Sequence, residues 1–292
     1  MTDVAGHKET DEITGTETTG HEWDGIKELN TPLPRWWLWT FYACIAWAVV
    51  YWIAMPAWPL VSSHTKGVLG YASRAVVDQR LAAARAAQSV FVARINAASL
   101  GEIRQDPELL AFAIAGGRSA FAVNCSQCHG RGAAGSPGFA NLNDDAWLWG
   151  GTLDDIHQTI TYGIRSDHEE TRVGDMPAFV RDEILTRDQV GDVAEYVLSL
   201  SGRSADPAAA GRGAAIFAEQ CVACHQEGGV GNREVGAPNL SDSIWLYGGD
   251  KATIVETVSN GRGGVMPAWT GRLDPTTIKQ LAVYVHSLGG GE

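Results

Sequence analysis

Two cysteines two residues apart, with a histidine directly after, occur in NCSQCHGRG at residues 124–132 and again in QCVACHQEG at residues 220–228. Four of the chain's five cysteines lie in these two stretches. A Cys-x-x-Cys-His places two thiols and an imidazole on one helical turn and the residue after it. Those groups can bond two vinyl substituents of one macrocycle and ligate its iron from the same side. Cys125 and Cys128 would form thioethers and His129 the proximal bond; Cys221, Cys224 and His225 repeat the set. A zinc ribbon holds its cysteine pairs ~15–20 residues apart. Here 92 residues lie between Cys128 and Cys221. A thioredoxin-like pair needs a βαβ setting, and none is visible. The spacing therefore predicts two covalently bound haem c groups.

An iron held by histidine on one side needs a sixth ligand from a distant loop. Of four methionines, Met1 starts the chain and Met55 ends an apolar run. Met176 in VGDMPAF and Met266 in GGVMPAW remain, one per half. Glycine before and proline after mark both as loop residues, with the proline fixing the backbone that aims the thioether. Met176 is expected to serve the first set and Met266 the second. His157 and His168 are the rivals in the first half. His157 sits on an apolar helical face and reads as packing. His168 lies in SDHEETRV, which has no counterpart in the second half. His286 aligns with Leu198 and reads as packing or exposed.

The elements that position these residues are repeated. DDAWLWGG (144–151) answers DSIWLYGG (242–249), and VAEYVLSLSG (193–202) answers LAVYVHSLGG (281–290). The order CxxCH, W-L-aromatic-G-G, M-P-A-aromatic, Y-V-x-S-L recurs with offsets of 96, 98, 90 and 88 residues. This is a tandem duplication with SADPAAAG (204–211) as its seam. Two copies are too few for a solenoid, so each is expected to be its own small domain, 106–204 and 205–292. Thr152 with Asp155, Thr186 with Gln189, and Asp274 before Pro275 are helix-start signals. About four short helices in roughly 90 residues make a thin core. A covalent macrocycle would staple it.

Upstream, residues 1–31 are polar and acidic and are expected to be mostly disordered. Residues 32–62 form the anchor. Trp36–Met55 is 20 uncharged residues, ~30 Å as a helix, one bilayer core. Tryptophans crowd both ends and prolines bracket it. Cys44, inside this run, is expected to be a small packing residue. Residues 63–105 form a linker, with an Ala-rich helix read over 67–100. The fold class is mainly α: one N-terminal transmembrane helix, a helical linker and two tandem cytochrome c domains. Flanking lysines and arginines leave the orientation open. Covalent haem attachment in bacteria takes place outside the cytoplasmic membrane, which predicts a single-pass inner-membrane protein with a cytoplasmic tail and periplasmic haem domains.

Charge is uneven. Residues 1–35 carry net −5, residues 36–100 net +4 and residues 101–292 net −11. An acidic C-terminal part excludes nucleic acid as a natural partner and suits a basic protein.

With these residues in view, the chain from about residue 22 onward resembles the dihaem subunit III of cbb3-type haem–copper cytochrome c oxidases. EWDGIKELNTPLPRWWLWTFY and PAWPLVSSHTKGVLGYASR carry the resemblance more specifically than CxxCH. The resemblance implies a non-catalytic electron-transfer subunit. Its implied partners are the catalytic haem–copper subunit, a monohaem c subunit, and a soluble or membrane-anchored donor cytochrome c. A free-standing tethered dihaem carrier is the alternative. A dihaem peroxidase is a third reading, to which only His168 points.

Overall fold

A computed structural model describes residues 8–291 of the 292. The chain divides into two compact units, residues 1–86 and 87–292.

The first unit holds a two-stranded antiparallel sheet, β1 (Thr18–Trp23) and β2 (Ile26–Leu29), registered Thr18 to Leu29 and Trp23 to Ile26. Asp24 and Gly25 take φ of 49° and 85° at its turn. Two successive positive φ values suit a tight hairpin, and Asp-Gly is the dipeptide that supplies them. The disordered tail expected over 1–31 is thus corrected for residues 8–30, while its first seven residues lie outside the described residues. The helix α1 (Arg35–Ala54) follows. Its C-terminal carbonyls are not left bare: the amides of Val68 and Leu69 return to donate to Ile53 and Ala54 at 2.8 and 3.0 Å. Cys44, expected to pack, is exposed on this helix among the described residues. The helix α2 (Ser73–Ala97) carries the chain into the second unit. It begins later than residue 67, since Gly67 and Gly70 take positive φ.

The second unit is all helix and loop: α3 (Leu100–Gln105), α4 (Pro107–Asn124), α5 (Ser126–His129), α6 (Leu153–Tyr162), α7 (Arg187–Leu200), α8 (Pro207–Gln220), α9 (Val222–His225), α10 (Lys251–Asn260) and α11 (Pro275–His286). Thr152, Thr186 and Asp274 cap α6, α7 and α11, as their sequence signals foretell. Asp106-Pro107 and Asp206-Pro207 start α4 and α8 in the same way.

The unit has two hydrophobic cores, and they do not follow the two repeats. The outer core joins Phe121, Ile156 and Ile160 of the first repeat to Leu281, Tyr284 and Val285 of the second. The inner core joins Val190, Val193 and Val197 of the first repeat to Phe217, Ile254 and Val258 of the second. In each core a glycine lets two helices touch. A Cβ at Gly117 would lie 2.2 Å from the Gln280 carbonyl, and one at Gly213 would lie 2.1 Å from that of Asp192. The aromatic pairs Phe121–Tyr284 and Phe217–Tyr196 sit beside these crossings, with centroids 5.5 and 5.0 Å apart.

Each core thus draws residues from both of the expected domains, 106–204 and 205–292. The inner core is one stretch of chain running from Met176 to Val258. It is inserted into an outer core built from Ile95–Ile160 and Met266–Leu288. The seam 204–211 lies within the stretch of chain that builds the inner core, running from beyond the end of α7 into the start of α8. The outer core is closed partly by Lys279, whose Nζ donates to the carbonyls of Ile95, Asn96 and Ala98 at the end of α2.

Candidate functional site

Each attachment motif forms where a long helix ends. α4 stops at Asn124, and Cys125 is at once its C-cap and the N-cap of the one-turn helix α5. The amides of Cys128 and His129 both donate to the Cys125 carbonyl, at 3.2 and 3.0 Å. Cys221, Cys224 and His225 repeat this at 3.2 and 2.9 Å between α8 and α9. Two thiols and an imidazole thus share one turn in each repeat.

The imidazoles are held in one tautomer. Nδ1 of His129 lies 2.9 Å from the Ala140 carbonyl, and Nδ1 of His225 lies 3.0 Å from that of Pro238. A carbonyl only accepts, so Nδ1 carries the proton and Nε2 keeps a lone pair. That nitrogen is the one free to ligate a metal. His225 is buried while His129 is half-buried. Burial lowers the pKa of His225, opposed by its hydrogen bond to the Pro238 carbonyl. Burial likewise pushes the Cys125 and Cys221 thiols up to about 11, with the neighbouring cysteines a smaller cause.

Met266 packs against the outer core with Cys125, and Met176 packs against the inner core with Cys221. Each motif shares its core with the methionine of the other repeat, where the sequence pairing expected that of its own. The backbone explains how. Met266 and Ile164 exchange two hydrogen bonds at 2.9 and 3.0 Å, and Met176 and Arg262 exchange two at 3.1 and 3.2 Å. Further along, Trp269 donates to Ile160 and Phe179 to Val258. Each methionine loop is laid along the end of the other repeat's helix, α6 or α10. Duplicated helix ends offer the same surface twice, so local sequence does not choose between own and exchanged partners.

The rivals lie elsewhere. His168 accepts from the Glu170 amide at 3.1 Å and lies tilted against Tyr162, with ring centroids 4.8 Å apart. It belongs to neither core. His157 is half-buried on α6, and burial lowers its pKa.

The residues fit a haem by a further observation. Trp147 Nε1 donates to the Gly290 carbonyl. Its counterpart, Trp245 Nε1, is buried and finds no partner among the described residues. A buried indole N–H without an acceptor is costly, and a carboxylate-bearing macrocycle would supply the acceptor. A cavity of about 560 Å³ lies between the loops that hold these tryptophans, and it reaches Ala140 and Pro238, the two histidine partners. W-L-aromatic-G-G was visible as a repeat in the sequence, but nothing there marked its indole as a donor awaiting a group.

Two family descriptions match the chain. The N-terminal domain of cytochrome oxidase-cbb3, FixP, matches residues 15–62. Cytochrome C oxidase, cbb3-type, subunit III matches residues 112–197 and 208–285. The chain belongs to the cbb3-type cytochrome c oxidase subunit III family. Within that family it is 59% identical to the cbb3-type cytochrome c oxidase subunit FixP of Bradyrhizobium sp. (strain ORS 278), over 99% of this chain and 100% of the relative. It is 57% identical to subunit CcoP of Azospirillum brasilense, over 98% and 99% of the two chains. Subunit CcoP of Cereibacter sphaeroides is 51% identical over 94% and 95%. The subunit III match breaks between residues 197 and 208, at the duplication seam and not at a boundary between cores.

Proposed function

We propose that the chain is the membrane-anchored dihaem electron carrier of a cbb3-type oxidase, with crossed iron ligation: His129 with Met266, and His225 with Met176. The observation that carries this is the sharing of each core by one Cys-x-x-Cys-His and the other repeat's methionine. Haem c, when bound, supplies a one-electron iron couple, and a methionine–histidine ligand pair raises its potential. The chain's own residues do the rest. Cys125 and Cys128, and Cys221 and Cys224, are the thioether donors. The Ala140 and Pro238 carbonyls aim the imidazoles. Trp245 Nε1 is a donor for an acidic substituent.

The alternative of a free-standing carrier has no support in the comparisons, whose relatives are oxidase subunits along the whole chain. A catalytic haem–copper subunit and a monohaem c subunit are the proposed partners, with a donor cytochrome c upstream. Co-purification of both after mild detergent extraction is the expected result. Residues 63–292 are proposed to be periplasmic and the acidic tail cytoplasmic.

The test of crossed ligation uses potentials. Wild-type protein should retain two haems by mass after denaturation. Met176→His should lower one reduction wave, and Met266→His the other, since imidazole donates more strongly to ferric iron. Each variant is then combined with Cys221→Ala/Cys224→Ala or Cys125→Ala/Cys128→Ala. If Met176→His still moves a wave in the chain lacking Cys221 and Cys224, the crossed assignment is wrong.

A further inference from the structure

The two methionine loops are related by a pseudo-two-fold axis. Ile164 and Arg262 are counterparts, as are Met266 and Met176, and the same pair of backbone bonds forms on both sides. One side chain breaks this symmetry. Arg165 Nη1 donates to the Gly174 carbonyl at 2.5 Å, and Arg165 Nε donates to the Gly264 carbonyl at 2.7 Å. Each carbonyl lies two residues before a methionine, Met176 or Met266. The two are counterparts under the pseudo-two-fold.

A side chain that bonds a group and that group's own counterpart must sit at the axis. There is room for one. The residue of the second repeat that corresponds to Arg165 is Gly263, at the offset of 98 that relates Gly163 and Ile164 to Gly261 and Arg262. A Cβ there would stand 3.0 Å from Asp175 Oδ1 and 4.0 Å from Arg165 Cδ. The guanidinium is mostly buried, with 22% of the side chain exposed, and Asp175 Oδ1 lies 3.5 Å from its Nε. Arg165 also holds φ of 50°, a conformation a non-glycine residue adopts at a cost. The amide of Arg165 donates to the Arg172 carbonyl at 2.8 Å, which fixes the loop that bears it.

We infer that Arg165 is a positioning residue that clamps both methionine loops at once, so that one side chain sets how firmly both thioethers are offered. The inference rests on the reading of Met176 and Met266 as iron ligands. Neither loop has a second charged donor on these carbonyls among the described residues, and a guanidinium presents two donors in a fixed fork where lysine presents a point charge. Release of the clamp loosens the two loops together. A site whose methionine is loosely held admits external ligands faster.

The experiment compares the full-length wild type with Arg165→Gln, Arg165→Lys and Asp175→Asn. Imidazole binding to the oxidised protein is followed by stopped flow, alongside the near-infrared sulfur–iron band. Arg165→Gln removes one charge-assisted bond per loop, which is of the size that speeds entry about tenfold at both sites. Arg165→Lys keeps the charge and loses the fork, so it should recover the wild-type rate at no more than one site. Asp175→Asn leaves the fork in place and should speed both phases by less than Arg165→Gln does. Acceleration of one phase alone, or of neither, overturns the clamp. Full recovery of both sites by lysine also overturns it, because charge alone would then suffice. If Arg165→Gln does not accumulate, Arg165→Lys and Asp175→Asn still decide. The ligand assignment fails separately: Met176→His and Met266→His would then both leave the waves unmoved, whatever Arg165 does.

Discussion

The inner and outer cores contain the same parts and close them differently. In the inner core α7 and α8 are consecutive helices joined by six residues. In the outer core the equivalent partners, α11 and α4, lie at opposite ends of the unit, with Phe121 meeting Tyr284. The α7–α8 half of the inner core can form from contacts close in sequence, and of its helices only α10 must be brought in from further along the chain. The outer core must wait for the last helix and bears the greater loop-closure entropy. Duplication followed by exchange thus yields two similar sites with unequal chain closure. The inner site is also the more buried at its histidine and cysteine, His225 and Cys221.

The largest effect that tests this contrast is a truncation in one core. Phe121 is 2% exposed, and Phe121→Ala should cost about 3–5 kcal/mol. The loss should appear at the site served by Met266. Phe217→Ala should do the same at the site served by Met176. Denaturant unfolding followed at the sulfur–iron band, in chains that carry one attachment motif each, reads the two separately. If Phe121→Ala disturbs the Met176 site first, the cores are divided wrongly.

A smaller effect separates the cores by acid. Glu195 of α7 is buried, whereas its outer counterpart is Val283. Lys251 and Ser204, with the amide of Asp206, hold the Glu195 carboxyl at about 2, below the ordinary 4.5. The folded state therefore favours the ionised form. This contribution is complete above the unfolded value and is lost as pH falls from 4.5 towards about 2. The gap in melting temperature between wild type and Glu195→Gln should be full at neutral pH and close across that window. A gap that persists undiminished at the acid end would sink the assignment.

The smallest effect concerns both cores together. Residues 101–292 carry net −11, a field that would steer a basic donor and be screened as the Debye length falls to ~10 Å at 0.1 M salt. Oxidation of a basic soluble cytochrome by the chain should slow severalfold from low to physiological ionic strength. An acidic donor should not slow. A salt-independent rate with the basic donor would rule steering out.

Much of this protein is fixed by residues close together in sequence. Cys-x-x-Cys-His needs one helical turn, so the turn that gathers two thiols and an imidazole was legible at 125–129 and 221–225. Proline after Met176 and Met266 marked both as loop residues, and Thr186 with Gln189 marked a helix start, because each of these signals acts within four positions. The uncharged run from Trp36 to Ala54 in α1 is a helix by the same local logic. The hairpin at Asp24-Gly25 was missed, because a single turn dipeptide in a polar tail without apolar alternation is a weak signal.

The pairing of methionine with motif was of another kind. Two near-identical helix ends at Gly163 and Gly261 accept either loop, so the choice is degenerate locally and is settled only when the whole chain closes. Arg165 gave no signal for the same reason. Its significance comes from standing on an axis that exists only after the two halves have exchanged, opposite a glycine 98 residues away. Sequence marked the candidate ligands, because bonding chemistry belongs to single residues and short turns. Tertiary structure decided which motif and which methionine share a core, because that depends on the closure of loops about a hundred residues long, whose cost changes only slowly with length.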